Sequence, residues 1–137
     1  MVSLLIKPRR TANSPFASSD ITLSLPALHP AQQRIKATAK RFNVLACGRR
    51  FGKTLLLADC AYDIAVDEAA PVGWFAPTYK ILTEAWRDMH IHLAPIITRS
   101  NLVERRIELL TDGTIEFWSL DDMNAGRSRK YRRVIID

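Results

Sequence analysis

The chain has 137 residues, 47% of them hydrophobic and 25% charged, with a formal net charge of +6 and a pI near 9.7. This balance fits one globular domain with a real core and excludes collagen-like or low-complexity chains. The charge is uneven: ten Lys/Arg face one acid through Lys53, and ten face thirteen acids from Thr54 onward. A basic balance suits a polyanionic partner, nucleotide or nucleic acid, and equally a solvated basic tail.

Cys47 and Cys60 lack metal-ligand spacing and read as reduced, buried thiols of an intracellular protein. His29, His90 and His92 form no ligand set with them, so no metal other than Mg²⁺ is expected. The apolar start at residues 1–6 is too short for a signal segment, and no run approaches the ~18 apolar residues of a membrane span. A soluble, cytoplasmic protein without membrane partners is expected.

In chain order, residues 1–20 mix prolines, serines and basic residues with little periodicity, and read as a flexible leader. Residues 21–25 alternate apolar and polar side chains, as a strand does. Pro26 and Pro30 bracket a turn, and residues 31–40 have helix-forming composition. An apolar run at 42–46 predicts a strand. A loop and a helix from Lys53 to about Asp67 follow, broken by Pro71 and Gly73. Residues 73–76 predict a further strand. Residues 79–93 predict a helix, with Ile81, Leu82, Ala85, Trp86, Met89 and Leu93 near 3.6 spacing. Residues 102–110 and 114–120 flank Thr111-Asp112-Gly113 as a β-hairpin. A polar loop leads to the apolar run 134–136, which ends in Asp137. Trp74, Trp86 and Trp118 fall inside elements and read as core. The expected fold is α/β: a P-loop NTPase-type, mostly parallel sheet flanked by helices, with one inserted β-hairpin.

The sharpest chemical signal is Gly48-Arg49-Arg50-Phe51-Gly52-Lys53-Thr54, set between the strand predicted at 42–46 and a helix. Backbone N–H groups of such a turn, together with the helix N-terminus, direct positive charge at phosphates. Lys53 would reach the β- and γ-phosphates of a nucleotide, and the Thr54 hydroxyl would sit on Mg²⁺. The strict pattern has glycine where this chain has Cys47, with Gly48 one place later. An apolar strand ending in Asp137 places an acid to hold Mg²⁺ through water beside Thr54. Ahead of the loop, Gln33 is the preferred candidate to read adenine and so select ATP over GTP, with Gln32 as the alternative.

Taken together, these pieces resemble the ATPase half of bacteriophage terminase large subunits, the motors that package viral DNA. The matching residues are Leu28-His29-Pro30-Ala31-Gln32-Gln33, then Arg41-Phe42-Asn43-Val44-Leu45 running into the 48–54 loop. Trp74-Phe75-Ala76-Pro77-Thr78-Tyr79, Gly113-Thr114-Ile115-Glu116-Phe117, and Gly126-Arg127 ahead of Val134-Ile135-Ile136-Asp137 complete the series. The likeness spans residues 21–137 and implies the N-terminal portion of an ATPase domain. The resemblance implies ATP and Mg²⁺ as cofactors, with Lys53 and Arg49 in catalytic roles, Arg49 at the γ-phosphate. It implies double-stranded DNA, a portal ring, a small terminase subunit and further copies of the chain as partners. The family's catalytic glutamate, coupling motif and nuclease domain would lie beyond residue 137, so this portion alone is not expected to hydrolyse ATP. A helicase-like ATPase and a non-catalytic nucleotide- or DNA-binding remnant are the alternatives. Five basic residues from Arg127 to Arg133 suit DNA phosphates, a γ-phosphate-sensing loop, a subunit contact or plain solvation; no DNA-binding residue is assigned.

Overall fold

The computed structural model describes residues 1–6 and 21–137. Val2–Ile6 (β1) and Ile21–Leu25 (β2) form an antiparallel pair in which Val2 faces Leu25 and Ile6 faces Ile21. The β2 alternation is as expected, with Leu23 and Leu25 buried. β1 is a departure, since these residues fall in the expected flexible leader. The remainder of that leader, 7–20, lies outside the described residues.

The main sheet has five strands in the order β4-β5-β6-β3-β7. They are Pro71–Ala76 (β3), Ile97–Asn101 (β4), Arg106–Leu109 (β5), Thr114–Ser119 (β6) and Arg133–Ile136 (β7). β3 runs parallel to both β6 and β7, whereas β5 is antiparallel to β4 and β6. The sheet is therefore mixed rather than mostly parallel. The expected hairpin is present as β5–β6, and β4 extends it.

Three helices flank the sheet: Pro30–Ala37 (α1), Lys53–Tyr62 (α2) and Tyr79–Leu93 (α3). α2 continues into a π-helical turn, Asp63–Asp67. α3 matches its predicted span and buries Leu82, Ala85, Met89 and Leu93; Trp86 is half-buried and Ile81 is exposed.

The sheet's two faces differ because strand side chains alternate. One face carries Val72, Trp74, Ala76, Ile115, Phe117 and Ile135, all buried in a single core with α2 and α3 residues. Trp74 is fully buried against Phe117, ring centroids 6.5 Å apart, and its apolar burial is worth about 2–3 kcal/mol. The other face carries Gly73, Phe75, Glu116 and Trp118, over which the β6–β7 connection runs. A Cβ on Gly73 would come within 2.8 Å of the Tyr131 ring, so glycine lets that connection lie flat on the sheet. Tyr131 donates its hydroxyl to Glu116 and accepts from Trp118 Nε1 at 2.7 Å.

The strand predicted at 42–46 does not form. Phe42 and Val44 are 83% and 99% exposed, and the Asn43 side chain bonds both Lys40 N and Lys40 O at 2.7 Å. A strand needs a ladder partner, and the Asn43 amide offers the backbone a local turn instead. Cys47 and Cys60 are half-buried rather than buried. Among the described residues, no helix is long and apolar enough to cross a membrane.

Candidate nucleotide site

β3, β6 and β7 are parallel, so their C-terminal ends lie together. Asp137 N donates to Phe75 O at 2.9 Å and Leu120 N to Ala76 O at 2.9 Å, closing that end. Asp137 thus stands at the tip of β7. Its Oδ2 accepts the Thr54 hydroxyl at 2.9 Å, joining two residues 83 positions apart.

α2 begins at Lys53, immediately after the loop. Arg50 and Gly52 have positive φ (62° and 79°), with Phe51 between them. Left-handed conformations in such a turn produce a concave run of backbone N–H groups. Holding a non-glycine residue such as Arg50 there costs about 1 kcal/mol or more, a strain that clusters at ligand-binding turns. Lys53 does not project into open solvent. Its Nζ lies 3.4 Å from Cys47 O and 3.3 Å from Gly48 O, so the ammonium closes the curve of the loop. Gly48, Arg49 and Arg50 are exposed, and Phe51 is half-buried.

α1 seats the far side of the loop. His29 caps it, accepting from Gln32 N at 3.4 Å, while His29 N donates to Gln32 Oε1 at 2.9 Å, a reciprocal capping box. The Gln32 side chain then reaches the loop, donating from Nε2 to Phe51 O and Gly52 O, both at 3.0 Å. His29 adds a contact from Nε2 to Phe51 O at 3.3 Å and an edge-on ring contact with Phe51 at 5.0 Å. Gln33, the preferred adenine reader, points away from the loop. Its amide donates to Leu28 O at 2.9 Å, and it lines a groove of about 540 Å³ with Lys36, Tyr62 and the β1–β2 pair.

The donor set fits Mg²⁺: a hydroxyl and one carboxylate beside a phosphate-directed turn match the few protein oxygens that ion takes alongside phosphates and water. Among the described residues, no group of three or more His, Cys, Asp or Glu is placed to enclose a metal on its own.

The end of the basic stretch nearest β7 stands away from this site. Arg132 N donates to Pro71 O, which places it at the N-terminal end of β3. At ~3.3 Å per residue along β7, Arg133 stands roughly 13 Å from Asp137. Arg129 lies 3.6 Å from Glu116, Arg132 pairs with Glu68 at 2.6 Å, and Arg127 bonds Asn124 at 3.2 Å. Arg132 and Arg133 therefore stand at the opposite end of the sheet from Asp137, and Arg129 and Arg132 help fasten the crossover through Glu116 and Glu68.

Sequence reasoning missed the Gln32 contact and the β4 strand. The capping pattern at His29–Gln32 was available as a signal for the bond to His29 N, but nothing local marks the contacts to Phe51 O and Gly52 O.

No protein-family model matches the chain, and comparison with curated proteins and with solved structures finds no similar one.

Proposed function

We propose that the chain binds ATP as its Mg²⁺ complex, in the ATPase portion of a viral DNA-packaging motor of the terminase large-subunit type. The observation that carries the nucleotide reading is the 2.9 Å bond between Thr54 and Asp137, beside Lys53 and a turn with two left-handed residues. Nothing in the local sequence requires residues so far apart to meet, and a metal-phosphate site does.

In this reading the loop N–H groups and the α2 N-terminus hold phosphate oxygens, and Lys53 exchanges its two carbonyl contacts for the β- and γ-phosphates. Thr54 and Asp137 would hold Mg²⁺, which when bound neutralises charge on those phosphates. The exposed Arg49 guanidinium is free to swing toward the γ-phosphate. Gln33 retains one amide N–H and its carbonyl for an adenine edge.

The packaging role rests on the ordered series of residues that resembles terminases, and with it come double-stranded DNA, a portal ring, a small subunit and a ring of copies in the host cytoplasm. A second reading, nucleotide binding without turnover, is favoured by one observation. Asp137 is engaged with Thr54, and among the described residues no other carboxylate hydrogen-bonds to the loop to activate water.

The test is calorimetric titration of ATP with and without Mg²⁺. Binding that strengthens with the metal, and a loss of at least about 100-fold in Lys53→Ala, is expected for an ammonium facing phosphates. Unchanged ATP affinity in that variant refutes the site. Turnover by the chain alone discards the second reading.

A further inference from the structure

Gln32 is 1% exposed, and every polar atom of its carboxamide is used within the fold. Oε1 accepts from His29 N, and Nε2 donates to both Phe51 O and Gly52 O. The fit is mutual: a Cβ on Gly52 would come within 2.7 Å of Gln32 Nε2, so a glycine at φ 79° is what lets the amide approach.

The consequence follows from peptide geometry. In a planar trans peptide the C=O and the next residue's N–H point in opposite directions, and the described residues contain no cis bond. Holding Phe51 O against α1 therefore turns the Gly52 N–H away from α1. Holding Gly52 O does the same for the Lys53 N–H. Gly52 O also takes the first helical bond, from Leu56 N at 3.0 Å, so the same peptide is fixed from the α2 side. Those two N–H groups open the helix where an anion would sit.

We propose that Gln32 is a positioning residue that orients the phosphate-binding peptides by holding their carbonyls, and that it reads no base. This rests on the nucleotide reading above and assigns Gln32 to the triphosphate half of the ligand. It makes two commitments: the effect of Gln32 is independent of the base, and it resides in the two N–H donations rather than in side-chain volume.

Gln32→Glu separates these. The carboxylate keeps the length and the acceptor for His29 N while replacing both donations with repulsion of the two carbonyls. Gln32→Met keeps the volume without donors and serves if the glutamate variant does not fold. Affinity is measured for ATP, GTP and inorganic tripolyphosphate, each with Mg²⁺, alongside amide hydrogen exchange of residues 50–54 in the ligand-free protein. The expected result is an equal loss, about tenfold, for all three ligands in either variant, with faster exchange confined to the loop and first turn. A loss confined to ATP would show that Gln32 reads the base and overturn the proposal. Full affinity in Gln32→Met would reduce its role to packing and overturn it as well. If the unmodified chain binds none of the three, the nucleotide reading fails. The exchange comparison still decides whether Gln32 holds the loop, and equal exchange rates would end that claim too.

Discussion

The two sides of the main sheet are built on opposite plans. On the β4–β5–β6 side, Ile107, Leu109, Ile115 and Phe117 are all buried. The turn between β5 and β6 is pressed against the π-helical end of α2. Thr111 Oγ1 donates to Ala65 O at 2.9 Å, supplying a partner to a carbonyl that a helix end leaves open. Gly113 lies so close that a Cβ there would meet the same carbonyl at 1.8 Å. On the β7 side, Val134 and Ile136 are 54% and 66% exposed, and residues 48–50 of the loop ahead of α2 are exposed as well. One side is a scaffold held by backbone contact. The other ends at an exposed turn, and on the nucleotide reading proposed above it is there that a ligand would enter.

The sharpest way to break the scaffold is Gly113→Ala. The methyl has no space beside Ala65 O, and a loss of about 3 kcal/mol is expected in urea unfolding, with no change in the Thr54–Asp137 pair until the chain unfolds. A loss below a few tenths would show that the turn is not pinned. The open side should respond in the reverse manner. Asp137→Asn keeps the shape but removes the charge, so folding stability should scarcely move. The Mg²⁺-dependent gain in ATP affinity should fall about tenfold, read by titration at fixed ATP and varied metal.

A smaller effect sharpens the boundary between the two sides. Lys36 on α1 reaches Asp59 and Asp63 on α2 and its π-helical extension, the latter at 2.8 Å, and braces the two helices beneath the loop. Burial works against its charge, but the bonds to both aspartates outweigh this and hold its pKa above the ordinary 10.5. A lysine whose folded pKa is raised gives its full stabilisation below the unfolded value and loses it as pH climbs through the folded one. Lys36→Met should therefore cost about 1 kcal/mol at pH 7, and the gap to the unmodified protein should close above about pH 10.5 in thermal unfolding. The smallest effect belongs to Gln33→Ala. With one amide N–H held by Leu28 O, the other N–H and the carbonyl are left for a base, and preference for ATP over GTP should narrow about threefold in competitive binding.

What could be read from residue order was whatever depends on local period or local chemistry. The 3.6 spacing of Leu82, Ala85, Met89 and Leu93 places α3 residue for residue. Thr111-Asp112-Gly113 announces the β5–β6 turn, Asp112 taking the left-handed conformation that aspartate tolerates. The 48–54 turn is legible as the entry to a helix, with Gly52 in the left-handed conformation and α2 starting at Lys53. What could not be read depends on partners distant in sequence. Residues 42–46 have strand-like composition, yet among the described residues no neighbouring strand pairs with them. Arg127 to Arg133 look like a free basic patch, yet Glu68 and Glu116 take two of those charges. Gln32 and Gln33 are indistinguishable as letters. A 100° rotation along α1 sends one to the loop and the other to the groove.

β7 is laddered to β3 and, among the described residues, to no strand on its other side. The acid at its tip is fixed through β3, by its N–H on Phe75 O, and through α2, by the Thr54 hydroxyl. The opposite border is an edge of the kind that accepts another strand.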